Sequence, residues 1–231
     1  MTSPKPLNRR ALLALAATAP LAASCTPAQL LTGGKAQKVY VLTPAREFTA
    51  GLSRAPWQLL VETPLANSAV DTPRIMLGET SNRMTYFSGA SWADTGPDMM
   101  QTLLVESFEN SRRIVAVGVE RSGLRADFIL KTDLRDFHAN YKGHDPSNTA
   151  PEATVRINAK LVRLPRRNIV AGDTFEATVR ASSPLLDDII RAFDQATGAV
   201  LRRIVEWTLQ QGMANTEAYP LAWIAEPAAF R

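Results

Sequence analysis

The chain has 231 residues, of which 45% are hydrophobic and 21% charged, a composition typical of a globular domain. Its formal charge is +4, but the segment before Cys25 contains Lys5, Arg9 and Arg10 and no acidic residue. Without that segment, 26 less 3 basic residues stand against 22 acidic ones, so the net charge is +1. A domain so near neutrality gives no indication of nucleic-acid binding. Cys25 is the only cysteine, so no internal disulfide can support the fold.

The first 24 residues have the layout of a secretory signal peptide. A basic start, MTSPKPLNRR, precedes an apolar run, ALLALAATAPLAAS, that is too short and interrupted to span a bilayer. LAASC, which ends at Cys25, is similar to a bacterial lipobox, where cleavage precedes the cysteine and the thiol is acylated. We therefore predict a lipoprotein-type signal peptide at 1–24 and lipidation of Cys25. An ordinary signal peptide is the alternative, and the Arg9-Arg10 pair leaves Sec and twin-arginine export both open.

Residues 25–37 connect this anchor to the folded part. They contain TPAQLLTGGKAQ, a small, polar and glycine-containing stretch that predicts a flexible tether. Cys25 is followed by Thr26, which by resemblance to enterobacterial lipoproteins implies the outer membrane, on the inner leaflet facing the periplasm. Each buried methylene of an acyl chain contributes about 0.8 kcal/mol, so several chains on one residue anchor a protein firmly.

Short β-type segments and one helix fill the first half of the mature chain. Residues 95–111 have helical spacing, and Thr95 with Asp98 resembles a capping box, so we predict that a helix begins there. On either side, alternating or β-branched runs predict strands. These strands are KVYVLTP (38–44), WQLLVETP (57–64), RIMLGETSNRMTYF (74–87, two strands around a turn), RRIVAVGV (112–119) and ADFILKTDLRDF (126–137).

Two strictly alternating segments and a long helix follow. Val155 to Leu161 and Phe175 to Ala181 alternate apolar with polar residues, which predicts an antiparallel hairpin connected by PRRNIVAGD. Ser183-Pro184 predicts the start of the long helix, and Gly212 its stop. The order predicts one α+β domain over 38–212, with a mostly antiparallel β-sheet and two main helices packed on one face, and a C-terminal tail at 213–231.

No motif in the sequence predicts catalysis, a metal site or a cofactor. The two histidines, His138 and His144, fall at a strand end and in a polar loop, without the spacing of a metal site. G-x-S-x-G, P-loop and G-x-G-x-x-G patterns are missing from the sequence. An enzyme would therefore need an unfamiliar site, and a hydrolase that uses His138 or His144 is the form of that hypothesis.

Two charged clusters have structural explanations. Asp187 and Asp188 would lie in the first turn of the long helix, where the helix dipole favours acidic residues. Arg163, Arg166 and Arg167 fall in the predicted hairpin turn and would be exposed. Contact of these arginines with anionic lipid headgroups or with an acidic partner is the functional alternative.

Taken together, several segments resemble the ABC-type transport auxiliary lipoproteins, the PqiC-like group. They are the lipobox at Cys25, YVLTP (40–44), SWADTGPDMMQTLL (91–104), ADFILKTDLRDF (126–137), GDTFEATVRA (172–181) and AFDQATGAVLRRIVEWTL (192–209). The resemblance implies a lipoprotein without catalytic residues or cofactor. It implies a periplasm-facing accessory subunit that docks on the MCE-domain protein of a lipid-transport system with an ABC permease and ATPase.

A second function remains open on the sequence alone. A lipid-anchored module that itself binds a lipid or hydrophobic ligand would need an apolar cavity between the sheet and the helices, which the sequence cannot distinguish from a filled core. Self-association into a homo-oligomer is a further alternative, and no motif in the sequence identifies a docking face.

Overall fold

The computed structural model describes residues 37–80, 83–141 and 149–221. Cys25, His144, the signal peptide, most of the predicted tether and residues 222–231 lie outside these ranges. The described strands are β1 (Lys38–Tyr40), β2 (Ala55–Val61), β3 (Leu65–Ala66), β4 (Arg74–Thr80), β5 (Arg83–Trp92), β6 (Ile114–Gly118), β7 (Phe128–Asn140), β8 (Glu152–Arg163) and β9 (Asn168–Arg180). The helices are α1 (Gly96–Ser111) and α2 (Leu186–Ala218), with a short 3₁₀ turn at Glu120–Ser122.

The sheet is organised around β7, its central strand. On one edge β7 pairs antiparallel with β8, which pairs antiparallel with β9. Along its other edge, β7 pairs in parallel with three shorter strands in succession, β2, β3 and β4. The paired residues include Leu60 with Ile129, Leu65 with Asp133 and Leu77 with Ala139. β6 extends the sheet beyond β2, and β5 and β1 extend it beyond β4. The predicted α+β class is confirmed, and the longest strand pairs are antiparallel as expected.

Both helices pack on the same face of this sheet. On β8, the residues Val155, Ile157 and Ala159 are fully buried beneath α2. α1 contacts β2, β3, β6 and β7 and also touches α2. The space between the sheet and the helices is filled by buried apolar side chains, so the core is closed by its own residues.

An aromatic cluster connects three elements of the core. Trp92 of β5, Phe137 of β7 and Phe193 of α2 lie with ring centroids 5.1 to 5.3 Å apart. The two pairs that involve Phe193 are edge-to-face, and pairs of this kind contribute roughly 0.5–1.5 kcal/mol beyond the area that they bury. Trp92 is buried in the core, whereas Trp207 is half-buried and packs on Phe175 at the margin of the sheet, with centroids 5.5 Å apart.

The predicted start of α1 is confirmed. Thr95 is its N-cap, and its hydroxyl oxygen accepts a hydrogen bond from the backbone N–H of Asp98 at 3.4 Å. The same hydroxyl donates to the Asp98 carboxylate at 2.9 Å. Asp98 also lies in the first turn, where its negative charge interacts favourably with the positive end of the helix dipole.

Both predicted ends of α2 were wrong. The helix begins at Leu186, because Ser183 instead holds the preceding turn: its hydroxyl accepts from the N–H of Leu185 at 3.1 Å and donates to Asp188. The helix also continues through Gly212 to Ala218, so that 213–218, placed in the predicted tail, are helical. Gly212 serves a packing purpose, since it lies against the indole of Trp57.

The predicted hairpin is confirmed, but its connection is shorter than PRRNIVAGD. β8 ends at Arg163 and β9 begins at Asn168, so that only four residues connect them. Leu161 pairs with Ala171 and Val162 with Ile169, which leaves Val170 as an extra residue in β9. This bulge interrupts the alternation of side chains, which explains why the start of β9 was predicted as a loop.

The irregular segment between β1 and β2 is fastened by side chains of the helices. On α2, the Asp194 carboxylate accepts from the backbone N–H and the hydroxyl of Thr43 at 2.7 and 2.9 Å. On α1, Ser107 accepts from the N–H of Ala45 at 2.9 Å and Asn110 donates to its carbonyl at 3.1 Å. In this segment, hydrogen bonds between residues 62 to 151 positions apart in the chain therefore take the place of strand pairing.

Candidate functional site

The face of the sheet opposite the helices is mostly polar, apart from the buried pair Ile129 and Val162 near the hairpin turn, and none of the described helices covers it. We call it the open face; it consists of the outward side chains of β7, β8 and β9. Asp136 of β7 forms an ion pair with Arg156 of β8, which stands opposite Glu176 of β9. Arg156 donates a hydrogen bond to the Asp136 carboxylate, and this bond is the main reason that the pKa of Arg156 is raised above its ordinary value. The open face therefore presents ordered rows of charged and polar groups.

Further polar rows continue along the open face. Asn158 donates to the hydroxyl of Thr174 at 3.0 Å, and the hydroxyls of Thr154 and Thr178 lie 3.2 Å apart. Among the described strands, β9 pairs only with β8, so its outer edge has no strand partner. Arg203 of α2 covers part of that edge by donating to the carbonyl of Glu176 at 3.0 Å.

His138 lies on the open face of β7 and is half-buried. Burial lowers the pKa of its imidazole below the ordinary value, and the positive charge of Arg156 acts in the same direction, while Asp136 opposes it. Its neighbour across the strands is Thr154, a residue that supplies no acid or base.

The acidic residues at the start of α2 are engaged structurally. Asp187 accepts a hydrogen bond from the Tyr40 hydroxyl at 2.6 Å and lies 3.7 Å from the Lys38 ammonium. The hydrogen bond from Tyr40 and then the charge of Lys38 lower the pKa of the Asp187 carboxyl. Asp188 pairs with Arg191 and accepts from Ser183. Both carboxylates are in the first turn of the helix, as predicted, and one of them fastens β1.

The predicted arginine cluster lies beside a depression that we call the hairpin groove. The hairpin groove has a volume of about 1590 Å³ and is formed by the β8–β9 turn, residues 125–127, the start of β2 and β6, and the chain after α2. Arg163, Arg166 and Arg167 line it, and Arg125 joins them from a different part of the chain. The sequence predicted three of these four arginines as exposed turn residues, but their common groove depends on the fold.

The four arginines have different neighbours. Arg163 docks the end of α2, donating to the Asn215 side chain at 2.7 Å and to the Pro220 carbonyl at 3.2 Å. Arg167 lies 3.8 Å from Glu62. Within the described part of the chain, neither Arg125 nor Arg166 forms an ion pair or hydrogen bond, and both are exposed. Two guanidinium groups are therefore available to an external anion.

The described residues contain neither a cluster of metal ligands nor a membrane-spanning helix. Within 37–80, 83–141 and 149–221, no group of three or more His, Cys, Asp or Glu side chains is arranged to hold a metal ion. Neither described helix is long and apolar enough to cross a membrane. Cys25, the predicted lipidation site, lies outside the described residues and stays a prediction.

Comparison with known families identifies the class of protein. Residues 40–205 match the model of the ABC-type transport auxiliary lipoprotein component. The chain therefore belongs to this family, whose description names a transport component and places it with the lipoproteins of the cell envelope. The match begins at the last residue of β1 and ends within α2, so it includes β2 to β9 and therefore both strands of the hairpin.

Two solved structures are similar to this chain in fold. The crystal structure of protein XCC0632 from Xanthomonas campestris is similar to this chain, with 32% sequence identity, a TM-score of 0.73 and coverage of 78% of this chain and 99% of that one. A second solved structure, of an uncharacterized protein, shares the fold at 15% identity with a TM-score of 0.58, covering 75% and 99% of the two chains.

A curated relative is longer than this chain. The uncharacterized protein bll6063 of Bradyrhizobium diazoefficiens is 25% identical over 183 residues, which are 78% of this chain and 47% of that protein. The chain thus spans about half the length of the curated relative that it matches. The likeness adds no activity, substrate or partner, since the relative's description names none.

Proposed function

We propose that this protein is a periplasm-facing lipoprotein subunit of an MCE-type envelope lipid-transport system and that it acts by docking onto the transport components. The observation that carries the proposal is the family match over 40–205, because an auxiliary component acts through the transporter that it serves. The partners proposed are an MCE-domain protein and the ABC permease and ATPase of the same system. In this role the protein binds and positions its partners without catalysing a reaction.

The proposed anchor is the acylated Cys25, in the inner leaflet of the outer membrane. Twelve residues, 26–37, separate it from β1, which begins at Lys38. A flexible linker of this length has a root-mean-square span of about 20 Å, which would keep the domain close to the membrane surface while allowing it to turn toward a partner.

The open face is the docking surface that the geometry supports best. It is broad because β7, β8 and β9 are the longest strands, with 13, 12 and 13 residues. Its cross-strand rows hold polar groups in fixed positions, as at Asp136 with Arg156, so a complementary partner would meet an ordered surface. The unpaired outer edge of β9 borders this face and would permit strand addition.

Affinity purification in mild detergent from the protein's own membranes tests the proposal. We expect full-length protein to retain the MCE-domain protein, with or without the permease and ATPase, when the eluate is identified by mass spectrometry. Cys25→Ser should move the protein from the membrane fraction to the periplasmic fraction. Recovery of the protein without any transport component would contradict the docking proposal, and unchanged membrane association of Cys25→Ser would contradict the anchor.

A paired substitution locates the docking surface. Thr178 is exposed on the open face, whereas Gln210 is exposed on α2, away from that face. We expect Thr178→Arg to reduce recovery of the MCE-domain protein severalfold and Gln210→Arg to leave it unchanged. The reverse result would move the docking surface to the helical side of the molecule.

A further inference from the structure

The hairpin groove combines positive charge with exposed apolar surface. Among its described lining residues, four are arginines and one, Asp127, is acidic. The Asp127 carboxylate accepts from the backbone N–H of Gln58 at 2.9 Å, so it is held against β2. The groove therefore carries an excess of positive charge toward solvent.

The apolar part of the groove comes from three elements that meet only in the fold. Val115 of β6 is 54% exposed, Ile169 of β9 is 63% exposed and Tyr219 after α2 is 67% exposed. Scattered exposed apolar residues are ordinary, but these three line one depression together with the arginines. A ligand with both an anionic group and a hydrocarbon part would satisfy both kinds of surface.

The size of the groove and the geometry of arginine favour a lipid phosphate. Small-molecule pockets usually measure about 300–1,000 Å³, and the hairpin groove at about 1590 Å³ is larger. A guanidinium group binds phosphate through two parallel N–H···O bonds, which are charge-assisted and stronger than neutral ones. Arg125 and Arg166 are the two groove arginines that form no ion pair or hydrogen bond with the described residues.

We infer that the hairpin groove binds one anionic amphiphile, a phospholipid with a phosphate headgroup, with Arg125 and Arg166 contacting the phosphate and Ile169 and Tyr219 contacting the hydrocarbon. Arg163 positions the groove wall by fastening α2 to the hairpin. The inference deepens the proposed function by naming a lipid class, and it rests on that function for its biological role. Docking is tested by co-purification and lipid binding by titration of the isolated protein, so each can fail independently.

The test titrates the full chain carrying Cys25→Ser with dihexanoyl phosphatidylglycerol, below its micelle concentration, by calorimetry. We expect saturable binding of one lipid per chain, with dihexanoyl phosphatidylcholine binding at least fivefold more weakly because it has no net negative charge. Glycerol 3-phosphate, which has the phosphate without the hydrocarbon, should bind at least tenfold more weakly than the lipid. Equal affinity for the two lipids, or for lipid and glycerol 3-phosphate, would overturn the inference.

Matched variants assign the binding to the groove. Arg125→Gln with Arg166→Gln should weaken phosphatidylglycerol binding at least tenfold, and Ile169→Ser should weaken it about threefold to tenfold. The control is Arg46→Gln with Arg202→Gln, which removes two exposed arginines from a separate, smaller depression between 43–47 and α2 and should change nothing. Equal loss in both double variants would overturn the assignment, because it would indicate a general effect of charge.

Two other occupants are distinguished by the same set of proteins. An acidic peptide that binds more tightly than the lipid, with the same dependence on Arg125 and Arg166, would replace the lipid by a protein segment. Binding to phosphatidylglycerol vesicles without binding to the short-chain lipid would indicate contact with a membrane surface and would overturn a single-lipid site. Thermal unfolding of each variant within the range of the control shows that the loss is local.

Discussion

Gly212 of α2 lies directly against the indole of Trp57 on β2: a Cβ atom placed on Gly212 would come within 2.3 Å of Cζ2 of that ring. Trp57 is fully buried and packs edge-on against Phe128 of β7, with centroids 5.0 Å apart. The ring therefore has no room to move away, and the close approach of α2 to the sheet depends on the missing side chain.

Gly212→Ala should consequently destabilise the protein, although alanine is the better helix former. Overpacking of a core typically costs about 1–3 kcal/mol, which exceeds the roughly 0.5–1 kcal/mol that alanine contributes in a helix interior. Urea denaturation would show the lower free energy of unfolding. Gly198→Ala is the matched control, since Gly198 is on the same helix with nothing within 4 Å of its added Cβ. The control should be stabilised by about 0.5–1 kcal/mol, and stabilisation of both variants would contradict the packing argument.

Phe193→Ala should be among the most destabilising single changes in α2. Phe193 is fully buried and contacts both Trp92 and Phe137, so its truncation would leave a cavity between the helix and the sheet. Truncations of this kind cost roughly 3–5 kcal/mol. Leu65→Ala, at a position 74% exposed, should stay within about 0.5 kcal/mol of the parent in the same denaturation experiment. A loss at Phe193 no larger than that at Leu65 would disprove the role of the cluster.

Asp194→Ala should release the irregular segment at Thr43 without unfolding the sheet. The carboxylate accepts bonds from both the N–H and the hydroxyl of Thr43, and bonds to charged groups contribute about 1.5–3 kcal/mol each. Amide hydrogen exchange should therefore become about tenfold faster or more around residues 43–47, with exchange in β8 unchanged. Gln195→Ala, at the exposed neighbouring position, serves as the control. Equal exchange in the two variants would indicate that Asp194 does not fasten the segment.

Stability should fall in mild acid because of His138. Its pKa is lowered in the folded state, mainly by burial, so the unfolded chain binds the proton more readily. Stability from this residue is present above a pH of about 6.5 and is lost as the pH falls toward the lowered pKa of the folded state. His138→Gln should flatten that part of the curve in denaturation experiments between pH 7.5 and 5. His144→Gln is the control, and an unchanged curve for His138→Gln would refute the assignment.

Much of the architecture could be predicted from local patterns. The alternation in β8 identified the residues that point to the core, because successive side chains of a strand face opposite sides. Thr95 and Asp98 marked the start of α1 because their side-chain bonds are local in sequence. The ends of α2 were harder to predict from the sequence, since Ser183 and Gly212 each make contacts that compete with their usual role as helix signals.

The sequence by itself determined the class of fold, the lipoprotein resemblance and the buried side of the alternating segments in β8 and β9, because these depend on composition and on short-range periodicity. Only the tertiary structure decided which strands pair with β7, that Gly212 packs against Trp57 and that Arg125 lines the same groove as Arg163, Arg166 and Arg167. Each of these relationships connects residues far apart in the chain. Local periodicity contains no information on such pairings, which follow from the packing of the whole core.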